Sequence, residues 1–368
     1  MTPWKEPTAS CVSSSRSTLG ATKERPMKNL GKELRRLRGL LARARTVRIV
    51  THLSPDADGI SACLALRLAL VELGKTADVL VVDPIPGNCW FLPGCDRIVQ
   101  SRSHLPPPDL IFSLDAGEPG LLAPAYDPEQ DKTIPLVNVD HHLTNTLFGT
   151  VNLVDPEAGA SCELLYTVIG RLGADITAEI ATCLLAGLVS DTQAFRTANT
   201  TPHTLRVAAD LMQRGAPLKT VVAEILESKP LAWFRLMGLV FADLRSMGPL
   251  VWAEVTPSMR LATGARPEDV DGIANLLSTV REAEVTVLFK VSDDGTVKVS
   301  VRTKGRVNAA DLCMPFGGGG HARAAGCTLV GPSPAASKDR FLSAAKEALE
   351  KAGETVGAAT ERAARTGV

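Results

Sequence analysis

Apolar positions along this chain come in two rhythms, and the switching between them predicts the architecture. Leu30, Leu34, Leu37 and Leu41 recur at helical spacing with mostly basic residues between them, which marks an amphipathic helix. The run VRIVTH (Val47–His52) reads as a buried strand, followed by the turn SPDADG and an apolar helix from Ile60 to Leu73. Further continuously apolar runs lie at Ala77–Asp83, Asp109–Gly117 and Leu136–His142, separated by helical or loop segments. A half-exposed strand would alternate apolar and polar residues; unbroken runs predict a parallel sheet covered on both faces. Helical periodicity resumes at Ser161–Leu172, Thr177–Val189, Pro202–Gln213 and Leu218–Glu227.

Beyond Lys229–Pro230 the pattern changes. A helix, LAWFRLMGLVFADLR, bridges to strands at Leu250–Thr256, Glu284–Ser292 and Thr296–Thr303, the last two joined as a hairpin through Asp293–Gly295. A helix near Pro267–Leu277, a Gly-rich loop with an apolar strand after it, and a final helix complete a smaller α/β lobe. At 368 residues the chain is long for a single core. The reading is therefore an α/β protein with a parallel-sheet domain over 28–229 and a smaller α/β domain over 230–350. Flexible tails are expected over 1–27, which is rich in Ser and Thr and has no apolar signal core, and over 351–368. No apolar run approaches the ~20 residues a membrane span requires.

Composition narrows the partners. Lys plus Arg (40) equals Asp plus Glu (40), so there is no global field to attract long duplex nucleic acid. Bound phosphate would have to be held by a local cluster or by metals. The cysteines form no CxxC pair and several lie in apolar runs, as expected of buried free thiols in a reducing cytoplasm.

The chemistry lies in where acids and histidines fall. His52, Asp56 and Asp58 crowd the turn after the first strand, with Pro55 and Gly59 shaping it. Asp115 follows LIFSL, Asp140-His141-His142 closes LVNV, and Asp191 ends the apolar helix CLLAGLVS. Any one of these could be a helix cap or turn former. Together they place several carboxylates where the strands of an open α/β sheet end, the usual ligand crevice. Unneutralised carboxylates so gathered would raise one another's pKa, a penalty that divalent cations remove. Carboxylate and imidazole donors without thiolate suit Mn²⁺, or less specifically Mg²⁺ or another first-row metal. The residues thus point to a dinuclear metal hydrolase. In the second lobe, GGGGH (Gly317–His321) would let backbone amides approach an anion, and a linker would continue with polar filler rather than HARAAG. Arg302 is a candidate anion contact or a solvated strand-edge residue, and Asn199 to His203 read as a helix cap.

HLSPDADG, SLDAG, VDHH and GLVSDTQAFR resemble, in order and spacing, the motifs of the DHH phosphoesterase family, and GGGGHARAAG resembles the signature of its DHHA1 partner domain. The resemblance runs roughly from Leu30 to Leu349. Length and domain pairing resemble the nano-RNase and pAp phosphatase branch, which also includes linear and cyclic dinucleotide phosphodiesterases. It implies an active site in a cleft between the two domains and two Mn²⁺ ions. His52, Asp56 and Asp115 would hold one ion, and Asp58, Asp115, His141 and Asp191 the other. Asp140 would orient the site and His142 face the substrate phosphate, while Arg302, Gly318, Gly319, Gly320 and His321 would bind the rest of the nucleotide. The implied substrates are short single-stranded RNA and 3'-phosphoadenosine 5'-phosphate (pAp), with cyclic di-AMP or pApA as the alternative; a homodimer is compatible with it. A manganese pyrophosphatase would carry a different second domain, and a processive single-strand exonuclease would be longer and show a basic, aromatic-lined channel. A non-catalytic nucleotide sensor would be expected to have lost ligands that here are all present.

Overall fold

The computed structural model of the chain describes residues 30–366 apart from Asp271 and Pro332, so the tail expected over 1–27 lies outside the described residues. The chain divides into two compact units, the first ending at Glu227 and the second beginning at Ser228.

In the first unit, α1 (Leu30–Arg43) leads to β1 (Thr46–Thr51), α2 (Ala57–Glu72), β2 (Thr76–Leu80), β3 (Leu110–Leu114), β4 (Leu136–Asp140) and β5 (Val151–Val154). The helices α3 (Ser161–Leu172), α4 (Ala178–Asp191), α5 (Pro202–Gln213) and α6 (Leu218–Val222) follow. The strands form one sheet in the order β2-β1-β3-β4-β5, and every neighbouring pair is parallel. The rule of unbroken apolar runs does not reach β5, whose residues alternate buried and half-buried. Side chains alternate across the other strands and feed two clusters. Val47, Ile49, Phe112, Leu114, Val137 and Val139 join a large core with helices α1 to α6, while Val50, Leu80, Ile111 and Leu136 join a smaller one. Both faces are covered, but the smaller cluster is closed by single turns and loops around Leu122 and Ala125 rather than by long helices. Helix α2 is buried around its whole circumference over its first ten residues, which explains why its sequence is apolar on every side.

The strand order puts β2 on one side of β1 and β3 on the other, creating a topological switch point at the carboxyl ends of β1 and β3. Register then does the rest. Thr51 lies opposite Leu114, and Leu114 opposite Val139. The next residue on each chain segment is His52, Asp115 or Asp140. Parallel pairing alone therefore brings these three to one level.

The second unit comprises α7 (Leu231–Ala242), β6 (Arg245–Met247), β7 (Leu250–Val255), α8 (Pro257–Thr263), α9 (Ile273–Leu277), β8 (Val285–Val291) and β9 (Val297–Thr303), then α10 (Ala309–Cys313), β10 (Gly319–His321), β11 (Ala324–Leu329) and α11 (Pro334–Thr366). Its sheet runs β10-β11-β9-β8-β7-β6 and is antiparallel except for the β7–β8 pair. Val285, Val287, Phe289, Val297, Val299 and Val301 face α10 and α11 on one side, where Phe341 is fully buried. Ala253, Val255 and Leu288 face α7 and α9 on the other.

Three local expectations change. The segment read as a Gly-rich loop is an edge strand, with Gly319 opposite Gly326 and His321 opposite Ala324. Glycine is needed there for close backbone approach: a Cβ on Gly318 would sit 2.2 Å from the Gly326 carbonyl oxygen. The helix expected near Pro267–Leu277 is a single turn, Pro267–Val270, followed by α9; Gly272, at φ +89°, separates them. The last helix continues past Lys351 to Thr366, in keeping with the helix propensity of its Ala- and Glu-containing sequence. Among the described residues no helix is long and apolar enough to cross a membrane. Cys63, Cys89, Cys95, Cys162, Cys183, Cys313 and Cys327 are buried free thiols.

Candidate metal centre

The turn after β1 serves two purposes. Asp56 caps α2, its Oδ1 accepting the Asp58 and Gly59 amides at 3.0 Å each. The same oxygen lies 3.8 Å from His52 Nε2. His52 Nδ1 donates to the Leu53 carbonyl at 2.8 Å, which fixes the ring and turns Nε2 toward the acids. Gly59 is tightly placed; a Cβ there would meet Thr51 Oγ1 at 2.4 Å. One turn farther into the protein, Asp58 is fully buried at the start of α2.

Asp115 occupies the middle. It is 2% exposed and adopts φ +58°, an unfavourable backbone for a residue with a side chain. Its Oδ2 is 3.7 Å from His52 Nε2, and its Oδ1 is 3.6 Å from His141 Nε2 and 3.8 Å from His142 Nδ1. His141 Nδ1 donates to the Ala158 carbonyl at 3.3 Å, and its Nε2 lies 3.1 Å from Asp191 Oδ2. Asp191 ends α4, where the helix dipole disfavours an acid, and three consecutive residues with positive φ, Gln193, Ala194 and Phe195, follow it closely. Asp140, fully buried, accepts from His142 Nδ1 at 2.7 Å and from Asn145 Nδ2 at 2.6 Å.

Three groups of donors result: His52, Asp56 and Asp115; Asp58, His141 and Asp191; and Asp115, His141 and His142. In each group the ligand atoms lie within 4.8 Å of one another. Asp115 belongs to two of the groups. The charges are unbalanced: Asp56, Asp58, Asp115, Asp140 and Asp191 face three imidazoles, so even full protonation of the rings leaves a deficit of positive charge. Burial, with repulsion from Asp191 and Asp115, pushes the Asp58 carboxyl well above the usual range. Burial likewise raises Asp191 to about 6, although its hydrogen bond to His141 opposes this. Burial disfavours the charged form of His52 and His141, but their carboxylate partners prevail and push both up to about 11. His142 is raised chiefly by its hydrogen bond to Asp140. Burial would raise Asp140, yet the His142 and Asn145 bonds hold it below the ordinary value. A divalent cation would compete with these protons, and the oxygen and imidazole donors fit such cations.

The sequence does not single out Ser161, Asn145 or Gly187. Asn145 Nδ2 donates to both Asp140 and Asn138, locking the acid that orients His142. The Asn199 to His203 segment does cap α5, through a capping box between Thr201 and Thr204, and Asn199 also donates to the Gly159 carbonyl at 2.9 Å. No local signal marks Ser161, Asn145 or Gly187, because their partners are distant in sequence or lie in turns.

In the second unit, Ala324 pairs with Arg302 on one side and His321 on the other, so both share one row and one face of the sheet. Their backbones are about two strand spacings, roughly 10 Å, apart. The Arg302 guanidinium donates to Asn275 Oδ1 and to the Val301 carbonyl, both at 2.9 Å. Among the described residues no carboxylate pairs with it, and burial pulls its pKa down.

Comparison with known proteins agrees with this arrangement. Residues 46–188 match the DHH family, N-terminal domain, and residues 252–351 match the DHHA1 domain. A bifunctional oligoribonuclease and PAP phosphatase NrnA from Thermus thermophilus is 39% identical over 310 residues, spanning 83% of this chain and 90% of that protein. The chain belongs to the DHH family. A second relative of this DHH protein, the cyclic-di-AMP phosphodiesterase GdpP of Geobacillus thermodenitrificans, is 25% identical over 77% of the chain and 45% of its own length. The crystal structure of an exopolyphosphatase-related protein from Bacteroides fragilis shares the fold, with a TM-score of 0.79 at 22% identity over 87% of this chain and 96% of that one.

Proposed function

We propose that this DHH-family phosphoesterase hydrolyses short oligoribonucleotides to mononucleotides and pAp to AMP at a centre of two Mn²⁺ ions. The observation that carries the reading is Asp115, whose two oxygens face different donor groups, so that one carboxylate would serve both ions. His52, Asp56 and Asp115 would hold one ion, and Asp58, Asp115, His141 and Asp191 the other. When bound, such a pair lowers the pKa of water and neutralises charge on phosphoryl oxygens.

The remaining residues bind, orient and move protons. Asp140 accepts the Nδ1 proton of His142 and favours its imidazolium form, leaving Nε2–H to donate to a phosphoryl oxygen. Arg302, half-buried without an acid partner among the described residues, is suited to a phosphate or a base, and His321 and the glycines before it lie at the edge of the same sheet, two strands away. Short substrates follow from the charge: the protein has no net field for a long polyanion. Similarity to the cyclic-di-AMP phosphodiesterase favours a second reading, hydrolysis of cyclic di-AMP or pApA by the same residues.

The test is steady-state hydrolysis of pAp, di- to pentaribonucleotides, pApA and cyclic di-AMP with Mn²⁺, comparing wild type with Asp115→Ala. Release of AMP and mononucleotides, lost in the variant, supports the proposal. Undiminished turnover in Asp115→Ala rejects the metal chemistry, and a marked preference for cyclic di-AMP moves the conclusion to the second reading.

A further inference from the structure

We infer that Ser161 is a positioning residue of the metal centre, through which the first turn of α3 fixes two of its carboxylates at once. The inference rests on the two-metal reading above. Ser161 is fully buried, and its Oγ donates to Asp115 Oδ1 at 2.8 Å. Its backbone amide donates to Asp58 Oδ2 at 2.6 Å, and the Cys162 amide donates to Asp58 Oδ1 at 3.2 Å.

The start of α3 is built for this. The amides of a first helical turn have no partner within the helix and carry its positive dipole end. The N-cap position, which usually supplies an acceptor, is Ala160 and makes no side-chain cap. Asp58, 103 residues earlier in the chain, takes that place. From the opposite side α4 closes in at Gly187: a Cβ there would lie 2.2 Å from Asp58 Oδ1 and 2.4 Å from Cys162 Sγ. Asp58 is therefore confined between two helices and cannot rotate away.

The hydroxyl does the equivalent for Asp115. It occupies a lone pair of Oδ1, the oxygen on the His141 side, and leaves Oδ2 facing His52 and Asp56. A carboxylate that must serve two donor groups needs its rotamer set, and the left-handed backbone of Asp115 aims the side chain without fixing its torsion. Ser161 supplies that restraint. It is a hydrogen-bond partner of a metal-holding group and touches neither substrate nor reacting atoms, so its loss should register in metal affinity first.

The experiment titrates metal-stripped full-length protein with Mn²⁺ by calorimetry, comparing wild type, Ser161→Ala, Ser161→Thr and Asp115→Asn. Metal-free melting temperature and pAp kinetics are measured in parallel. Ser161→Ala should bind Mn²⁺ about 10- to 100-fold more weakly. Excess Mn²⁺ should restore its kcat with KM unchanged, and Ser161→Thr, which keeps the hydroxyl, should recover the affinity. A Ser161→Ala variant that melts lower but binds Mn²⁺ like wild type, beside a weakened Asp115→Asn, overturns the inference and leaves the metal reading intact. Wild-type affinity in Asp115→Asn removes the metal reading, and this inference with it. Should the alanine variant not fold, Ser161→Cys, similar in volume and a poor donor, reads the same affinity.

Discussion

The two units gather opposite charges: an excess of carboxylates in the first, and in the second a guanidinium with no carboxylate partner among the described residues. In the first, five aspartates gather against three imidazoles, and these carboxylates push His52 and His141 up to about 11 and raise His142 as well. In the second, a mixed sheet carries a half-buried guanidinium whose acceptors among the described residues are an amide and a carbonyl. Under the proposed function the first suits cations and the second an anion. An unpaired charge taken out of water is unfavourable, so such deficits suit ligands that complete them. The difference sharpens the proposed function: the reactive chemistry is assigned to the acids and imidazoles of the first unit, and anion binding to Arg302 of the second.

The sharpest way to break this division is to exchange the expected kinetic signatures. Asp115→Ala should lower kcat on pAp by more than the roughly 100-fold typical of an outer hydrogen-bond partner, because it removes a shared ligand rather than a support. Next in size, Asp140→Asn should reduce kcat about 10- to 100-fold, since His142 loses the charge that sets its tautomer and proton; a pH–rate profile whose acidic-group limb shifts to lower pH would accompany it. Arg302→Ala should raise KM about tenfold or more, the worth of a charge-assisted hydrogen bond, with kcat little changed. A fall in kcat alone for Arg302→Ala would blur the two roles.

The smallest expected effect is on stability against pH. The folded pKa of His52 and His141, about 11, exceeds the ordinary 6.5, so their protonation stabilises the metal-free protein fully below about 6.5 and ceases to do so as pH rises through about 11. Asp58 is also raised, and Asp191 is raised to about 6, so the stability associated with the protonated form of Asp191 is lost as pH climbs through that value. Both trends have one sign: metal-free protein should melt progressively lower from pH 6 toward pH 9. Metal binding displaces these protons, so the rise in melting temperature on adding Mn²⁺ should grow over the same range. Thermal melts with chelator and with Mn²⁺ check this, and a stabilisation that shrinks with pH would contradict the assigned charge states.

Much of the centre was legible because the chain marks it locally. His52, Asp115 and Asp140 each end an apolar run, and parallel register converts that common position into adjacency. Asp191 ends a helix apolar enough to be recognised as buried. Asp56 shows the limit of choosing between a cap and a ligand, for its one oxygen caps α2 while lying near His52. The glycine segment was readable as a place of close backbone approach, but its partner, Gly326, turns it into an edge strand rather than a loop.

By itself, then, the sequence determined most of the elements and the candidate residues for the chemistry, because hydrophobic periodicity and the ends of apolar runs are local properties. The tertiary structure alone decided how those residues are held. Ser161 finds its acceptors 103 and 46 positions away, Gly187 earns its place through the space that Asp58 and Cys162 occupy, and Arg302 and His321 meet only across an intervening strand. Hydrogen bonds and excluded volume act between atoms brought together by folding, and no spacing along the chain encodes them.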